Sequence, residues 1–400
     1  MRKPLWAVFS LLIITGFCLG EDPALTFHNN TQRTGRTTYL GPLPPRLRWT
    51  IRTGASIEAS PVMGRNGAIY LASTDGRLYA LSARGGVKWI FEAKESIFAT
   101  PAIAPDGSIH FSDLDGWYYA VRPDGSLKWS TSLASGHLEC RAVSSPVIAP
   151  DGQSYIGAWN DHFFSFGPDG KLLWEVSFQG EGQITAAPAL DISGNVYLAT
   201  HDPSDKNKLA VLKFQPASSN VVWKFAENMG VDRNRIISSP LIDTARGQLY
   251  VGIARENDGV LYAIDLTAGT LVYRAVLPKG IVSSPALGWD GTVYVGCLNG
   301  KLYALDPANG REQWNFTADG YYVMGSPVVD GSGIIFVGDS DGILYALSPA
   351  GKELWRFRCE SNIASAPIIS EDETLYVTSF DSKLYALGYW KPRTPRGSRQ

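Results

Sequence analysis

The sequence predicts an all-β fold, an eight-bladed β-propeller built of four-stranded antiparallel blades. The first observation is a unit at residues 283–314, where Asp290-Gly291, Asn299-Gly300 and Asn309-Gly310 separate four short apolar and aromatic runs. Such dipeptides favour the positive φ of tight hairpin turns. The unit therefore indicates a four-stranded antiparallel sheet.

The second observation is the recurrence of this unit along the chain. A proline preceded by a small residue occurs at spacings of 40 to 52 residues, at Pro61, Pro101, Pro146, Pro188, Pro240, Pro285, Pro327 and Pro367. A period of this length is typical of propellers and other arrays. Seven repeats close on an aromatic residue, which we expect to wedge between neighbouring blades and call a docking aromatic. These residues are Trp89, Trp129, Trp174, Trp223, Tyr273, Trp314 and Trp355.

The third observation is that the strand count predicts how the ring closes. The eighth repeat stops at its third strand, residues 383–387, and lacks a docking aromatic. One spare aromatic strand, residues 46–51 around Trp49, stands before the first repeat. If that strand completes the eighth blade, Trp49 becomes the eighth docking aromatic and the ring has only short, protected edges.

The segments outside the blades are assigned from the N-terminus onward. Residues 1–20 predict a signal peptide, because Arg2 and Lys3 precede an apolar stretch that ends in Cys18-Leu19-Gly20. We expect cleavage after Gly20, export to the periplasm or the medium, and no membrane span afterwards. Residues 21–45 are an irregular lead-in that we expect to lie along the ring. Residues 46–388 form the propeller, and residues 389–400 form a basic tail.

Composition excludes several functional classes. An apolar content of 44%, with 41 glycines and 24 prolines, is typical of a turn-rich globular protein. A net charge of −2 argues against a nucleic-acid partner. Three cysteines remain after cleavage, Cys140, Cys297 and Cys359, and their spacing predicts no disulfide. The histidines occur singly and predict no metal site; they are His28, His110, His137, His162 and His201.

The candidate binding surface follows from counting back from each repeat proline. The fourth position back is apolar in every repeat and is expected in the core, so the fifth and third positions share the opposite face. Both positions vary between blades. Insertions at residues 200–208, 226–236 and 255–259 are expected on the same face, with the blade-to-blade connections. We hypothesise a mixed polar and aromatic binding surface; the alternative is ordinary loop residues. The candidates are Glu58, Phe98, Arg141, Gln183, Arg235, Tyr322, Met324 and Asn362.

The repeats resemble a known family. Residues 304–314, ALDPANGREQW, resemble the tryptophan-docking motif of pyrroloquinoline-quinone-repeat propellers, and residues 27–54 resemble the N-terminal segment of exported bacterial members. The resemblance extends over residues 27–388 and implies the propeller fold. It implies two unlike functions. Quinoprotein dehydrogenases hold the quinone and a calcium ion at the ring axis, whereas envelope propellers, including the lipoprotein of the outer-membrane β-barrel assembly machinery, are not enzymes.

The residues available for a site favour the non-enzymatic envelope propellers over the dehydrogenases. The chain has no adjacent cysteines, most blade connections are short, and no compact carboxylate cluster could supply calcium ligands. We expect a monomeric ring without a cofactor that acts as a rigid platform for a protein or cell-envelope component. One alternative is a quinone-dependent dehydrogenase with bound calcium, in which Glu58 would act as general base. Another is a carbohydrate-binding or carbohydrate-cleaving propeller that uses Trp117 and Trp159.

Overall fold

A computed structural model describes residues 25–134, 142–159, 161–178, 184–202, 205–228, 236–255 and 257–389. These residues form 33 strands and no helix, and the strands assemble into eight antiparallel sheets. Across this described part of the chain there is accordingly no helix with the length and apolarity needed to span a bilayer. The predicted signal peptide and the tail beyond Tyr389 lie outside the described residues.

The sheets are the blades of a propeller, and we number them I to VIII. Their strands, from the channel outward, are Val62–Met63, Ile69–Ser73, Arg77–Leu81 and Val87–Glu92 (I); Ala102–Ile103, Ile109–Ser112, Trp117–Val121 and Leu127–Ser132 (II); Val147–Ile148, Ser154–Gly157, His162–Phe166 and Leu172–Ser177 (III); Ala189–Leu190, Val196–Asp202, Asp205–Phe214 and Val221–Asn228 (IV); Ile236–Ile237 with Leu241–Asp243, Gln248–Ala254, Gly259–Asp265 and Leu271–Leu277 (V); Ala286–Leu287, Val293–Gly296, Lys301–Leu305 and Glu312–Thr317 (VI); Val328–Val329, Ile335–Gly338, Ile343–Leu347 and Glu353–Arg358 (VII); Ile368–Ile369, Leu375–Ser379, Lys383–Gly388 and Arg46–Arg52 (VIII).

The eight-bladed fold and its predicted closure are confirmed. Strand Arg46–Arg52 pairs antiparallel with Lys383–Gly388 and is the outermost strand of blade VIII. Trp49 lies in this strand opposite Ala386, where the other docking aromatics lie in their own blades. The two ends of the propeller chain thus complete one sheet, which leaves no unpaired blade in the ring.

The ring has two faces that differ in which turns they carry. The upper face holds the turns between second and third strands, such as residues 74–76, and the connections between blades, such as residues 93–101. The lower face holds the turns between first and second strands and between third and fourth strands, such as residues 64–68 and 82–86. The described residues of the three insertions lie on the upper face, where blades IV and V have the longest second and third strands.

Docking aromatics join each blade to the next at the lower face. Trp89 Nε1 of blade I donates to Pro123 O of blade II at 2.8 Å. The same ring lies so close to Gly125 that a Cβ there would meet indole atoms at 2.9 Å, and Gly125 has a φ of 92°. A glycine is therefore required by space and by backbone conformation. The remaining bonds between neighbouring blades are Trp49 to Ala83, Trp129 to Pro168, Trp223 to Leu266, Tyr273 to Asp306 and Trp314 to Pro349. Trp355 of blade VII donates instead to Pro42 O of the lead-in.

Trp174 of blade III is the exception. The blade IV turn that it faces has no glycine, and its positive φ, 53°, falls on Ala217 instead. The indole nitrogen of Trp174 is buried and has no hydrogen-bond partner among the described residues. The changed turn thus leaves Trp174 without the polar contact that the other seven docking aromatics make.

A ring of hydroxyl groups links the first strands around the channel. Where the residue before the repeat proline carries a hydroxyl, that hydroxyl accepts the amide hydrogen bond of its counterpart in the preceding blade. Six such bonds occur. With the amide donor named first and the hydroxyl acceptor second, the pairs are Ser60 and Thr100, Thr100 and Ser145, Ala187 and Ser239, Ser239 and Ser284, Ser284 and Ser326, and Ala366 and Ser60. The two gaps fall where alanine takes this position, at Ala187 and Ala366. The small residues of the repeat therefore supply bonds between blades as well as room.

The lead-in crosses the lower end of the channel, whereas we expected it to follow the ring. Its carbonyls accept hydrogen bonds from first-strand amides of five blades. The lead-in carbonyl and the blade amide of each bond are Leu25 and Ile103, Thr31 and Leu190, Gln32 and Ile242, Thr34 and Leu287, and Gly35 and Val329. Because blades on opposite sides of the ring bind one short segment, the lead-in closes this end of the channel.

Arg33 anchors the lead-in from a fully buried position. Its guanidinium donates to the carbonyls of Pro146 and Pro188, in blades III and IV, at 3.2 and 3.1 Å. It also donates to Thr26 Oγ1 at 2.8 Å and to Phe27 O at 2.6 Å within the lead-in. Desolvation lowers the pKa of Arg33 to about 9, and no carboxylate of the described residues pairs with it. The cation is held by neutral oxygen acceptors alone.

Candidate binding site at the channel mouth

Most of the loops at the upper end of the channel share one backbone hydrogen bond. In five of them the carbonyl at the fifth position before the proline accepts a hydrogen bond from an amide in that blade's upper turn. With the carbonyl residue named first and the amide residue second, the pairs are Ser56 and Thr74, Ser96 and Leu114, Gly280 and Leu298, Tyr322 and Ser340, and Asn362 and Phe380. The fourth position is buried wherever its side chain is described, as at Ile57 and Ile97. The frame is therefore constant, and the fifth and third positions are left to vary above it.

The third positions form a ring around the mouth. All are half-buried except Thr185, which is exposed, and Ile237, which is buried. In blade order they are Glu58, Phe98, Val143, Thr185, Ile237, Val282, Met324 and Ala364. Seven of these side chains carry no charge, so the mouth is a mostly apolar collar with one carboxyl group.

Glu58 supplies that carboxyl group. Burial raises its pKa above the ordinary value. No hydrogen-bond donor or cation among the described residues contacts it. An unpaired, partly desolvated carboxylate is energetically unfavourable, so such groups mark candidate functional sites.

The fifth positions add polar and aromatic groups at the rim. Tyr322 is 43% exposed and its neighbour Tyr321 is 81% exposed. Sequence reasoning missed Tyr321, since counting at fixed offsets skipped the sixth position; the adjacent tyrosines were the available signal. Asn362 is half-buried, and no described group bonds to its side chain. Arg141, Gln183 and Arg235 lie outside the described residues.

Two buried acids of the upper turns are used within their own blades. Asp339 is fully buried, and its Oδ2 accepts hydrogen bonds from the Tyr345 hydroxyl and the Gly320 amide, each at 2.9 Å. Asp113 is arranged in the same way, with Oδ2 2.7 Å from the Tyr119 hydroxyl. These two carboxylates hold their turns, whereas Asp115 and Asp341 of the same turns are exposed. Glu58 differs from both kinds of acid, because it is half-buried and bonds to no described residue.

The donors around the mouth do not fit a calcium ion with a bound quinone. Calcium takes about six to eight oxygen ligands, whereas the buried carboxylates of Asp113 and Asp339 are occupied by hydroxyl and amide donors. No three acidic, histidine or cysteine side chains of the described residues are grouped closely enough to share an ion. Cys297 and Cys359 are buried free thiols, and Cys140 lies outside the described residues.

The described histidines have structural partners. His28 of the lead-in places its ring nitrogens 2.8 Å from Arg33 O and 2.7 Å from Pro327 O, and burial lowers its pKa to about 4. His110 lies between Ser108 and Tyr118, and burial lowers its pKa to about 3. His162 bonds to Glu175. His137 and the side chain of His201 lie outside the described residues.

Trp117, a candidate sugar platform, is covered by its own blade connection. Lys94 Nζ lies 3.1 Å from the centre of the indole ring. This cation–π contact occupies the ring face that a sugar would stack on. Trp159, the second candidate platform, is half-buried.

Two cavities on the lower face had no counterpart in the sequence reasoning. One, of about 400 Å³, lies among blades I to III and the lead-in, with Leu25, Tyr70, Ile103 and Ile148 in its wall. The other, of about 490 Å³, lies between blades I and VIII beside Tyr39 and Tyr376. Both involve lead-in residues, whose position no periodic pattern encodes.

Comparison with known proteins gives one family. The model of the pyrroloquinoline-quinone-repeat family described as outer membrane protein assembly factor BamB matches residues 31–166, 115–280, 165–332 and 299–388. Together these matches extend over nearly all of the propeller. No curated protein sequence matches the chain.

Solved structures share the fold at low identity. BamB from Moraxella catarrhalis is 18% identical, with a TM-score of 0.67 over 86% of this chain and 98% of that one. A europium-containing methanol dehydrogenase is 14% identical, with a TM-score of 0.74 over 92% of this chain and 98% of that one. Quinohemoprotein alcohol dehydrogenase from Comamonas testosteroni is 13% identical, with a TM-score of 0.76 over 92% and 81%. At these identities the likeness concerns the fold alone.

Proposed function

The chain belongs to the pyrroloquinoline-quinone-repeat family described as outer membrane protein assembly factor BamB, and on this premise we propose that it is a non-catalytic platform that binds a protein of the cell envelope. The family description supports an envelope location, and the signal-like N-terminus supports export. The upper face is the proposed binding face.

One observation carries the proposal, the exposed aromatic pair Tyr321 and Tyr322 on a fixed loop. Tyrosine and methionine are enriched at protein interfaces, and Met324 follows two residues after the pair. The loop is held at both polar groups of the Tyr322 backbone, because its amide donates to Ser340 Oγ at 3.2 Å and its carbonyl accepts from Ser340 N at 2.9 Å. A rim that is already ordered loses little entropy on binding.

Site-specific photo-crosslinking in cells that produce the protein tests the proposal. A photoreactive aromatic replaces Tyr321 on the upper face or, as control, Ile192 on the lower face; the two side chains are 81% and 82% exposed. We expect one discrete adduct from position 321, identified by mass spectrometry and reproduced with the purified partner. Equal adducts from both positions would contradict an upper binding face.

A titration with pyrroloquinoline quinone and calcium examines the opposing function. Tryptophan fluorescence follows binding, and dye reduction with simple alcohols and sugars follows turnover. We expect neither saturable quenching nor turnover at micromolar cofactor. Substrate-dependent dye reduction would replace the proposed function with that of a dehydrogenase.

A further inference from the structure

Hydrogen bonds of the hydroxyl ring fix the neighbours of Glu58 at the mouth. Two residues below it, the Ser60 amide donates to Thr100 Oγ1 of blade II, and Ser60 Oγ accepts from the Ala366 amide of blade VIII, both at 2.9 Å. The residues two positions above those partners are Phe98 and Ala364. Glu58 therefore lies between a phenyl ring and a methyl group in the third-position ring.

The polar group at this point of the collar is unpartnered. The Glu58 carboxyl group is half-buried and bonds to no described residue. Nearby acids differ, since Glu95 Oε1 accepts bonds from both the amide and the hydroxyl of Ser96 at 2.9 Å.

The apolar neighbours determine the shape of the group that would fit. Ala364 has the smallest side chain of the third-position ring, so a group bound to Glu58 would meet only a methyl group on that side. Phe98 offers an aromatic surface on the other side. An aliphatic chain that ends in a cation meets both demands, because its stem can lie on apolar groups while its head reaches an acid.

We propose that Glu58 and Phe98 form a site for a basic side chain, arginine or lysine, which a protein partner inserts into the channel mouth. The inference rests on the proposed function, because it names the chemistry of the partner of the same face. A carboxylate beside an aromatic ring suits a guanidinium or ammonium group. A single carboxylate supplies too few oxygen ligands for a hard metal ion.

A pair of short peptides tests the site directly. Each has a single basic position between glycines, filled in one peptide by arginine and in the other by citrulline, which has the same shape without the charge. Saturation-transfer NMR at up to about 10 mM peptide detects binding as weak as millimolar. We expect the arginine peptide to bind at least about tenfold more tightly. Equal binding of the two peptides, or no binding of either, would overturn the proposal.

Substitutions locate the effect. Glu58→Gln should abolish the preference for arginine over citrulline, whereas Glu95→Gln, which removes an exposed acid of the neighbouring loop, should preserve it. An arginine preference that survives Glu58→Gln overturns the assignment. Thermal unfolding of both variants shows that each is folded.

Combination with the crosslinking experiment separates the two proposals. If position 321 gives its adduct in wild type and in Glu58→Gln alike, the platform stands and the basic-residue site fails. If the peptide binds in a Glu58-dependent way but position 321 gives no adduct, the site stands and the platform fails. Loss of the adduct in Glu58→Gln but not in Glu95→Gln supports both.

Discussion

A desolvated charge lies at each end of the channel, Arg33 at the lower end and Glu58 at the upper end, and only Arg33 is bound by described residues. At the lower end, Arg33 is fully buried and its guanidinium is bound by three carbonyls and a hydroxyl. At the upper end, Glu58 is half-buried and bonds to no described residue. A charge that is fully bound fixes the architecture, whereas one left unbound is available to a ligand.

The largest expected effect comes from removal of the bound charge. Arg33→Met should destabilise the fold by about 3–5 kcal/mol, because buried carbonyls of blades III and IV lose their donors. The stability of Arg33→Lys should lie between those of Arg33→Met and wild type, since one ammonium group cannot reach all the acceptors. Urea unfolding measures both. A loss below about 1 kcal/mol for Arg33→Met would mean that the lead-in is not a structural closure.

The next effect sharpens the comparison within the hydroxyl ring. Ser60→Ala should cost about 1–3 kcal/mol, because it leaves the buried amide of Ala366 without its acceptor. Ser56→Ala, on the same loop but half-exposed, should change the free energy of unfolding by less than about 0.5 kcal/mol. Urea midpoints of the two variants give the difference. Equal losses would show that the ring bonds add nothing to ordinary loop contacts.

The contrast between the ends also shows what the sequence can encode. The blades were predictable because the proline and the docking aromatic repeat at fixed offsets, and the same counting located the ring that contains Glu58. The lead-in was not, because Arg33 binds backbone carbonyls more than a hundred residues away, and carbonyls carry no side-chain signature. Trp174 looked like its seven counterparts, since its missing bond depends on the conformation of a turn in another blade.

The docking tryptophans offer the same comparison at a single indole nitrogen. Trp89→Phe and Trp174→Phe remove similar ring volume, but only Trp89 loses a hydrogen bond. Trp89→Phe should therefore cost about 1 kcal/mol more than Trp174→Phe, as judged by chemical unfolding. A larger loss at Trp174 would mean that its indole nitrogen is bound in solution.

The smallest effect has the opposite sign and concerns the unbound charge. Burial raises the pKa of Glu58, so the folded state binds its proton more tightly than the unfolded state, and ionisation destabilises the fold. This penalty is absent below the ordinary glutamate pKa and complete above the raised one. The stability of Glu58→Gln should thus equal that of wild type near pH 4 and exceed it at about pH 7. At pH 7 its melting temperature should be higher by on the order of 1 °C.

Glu95→Gln supplies the matched control with the reverse dependence. The Ser96 amide and hydroxyl lower the pKa of Glu95, so its ionised form is stabilised by folding, and that contribution is present above its ordinary pKa and lost as the pH falls through the lowered one. Glu95→Gln should therefore lose a little stability at neutral pH, where Glu58→Gln gains it. Thermal scans across pH measure both changes in stability. If both variants lost stability at neutral pH, Glu58 would be a bound, structural charge like Arg33, and the distinction between the two ends of the channel would fail.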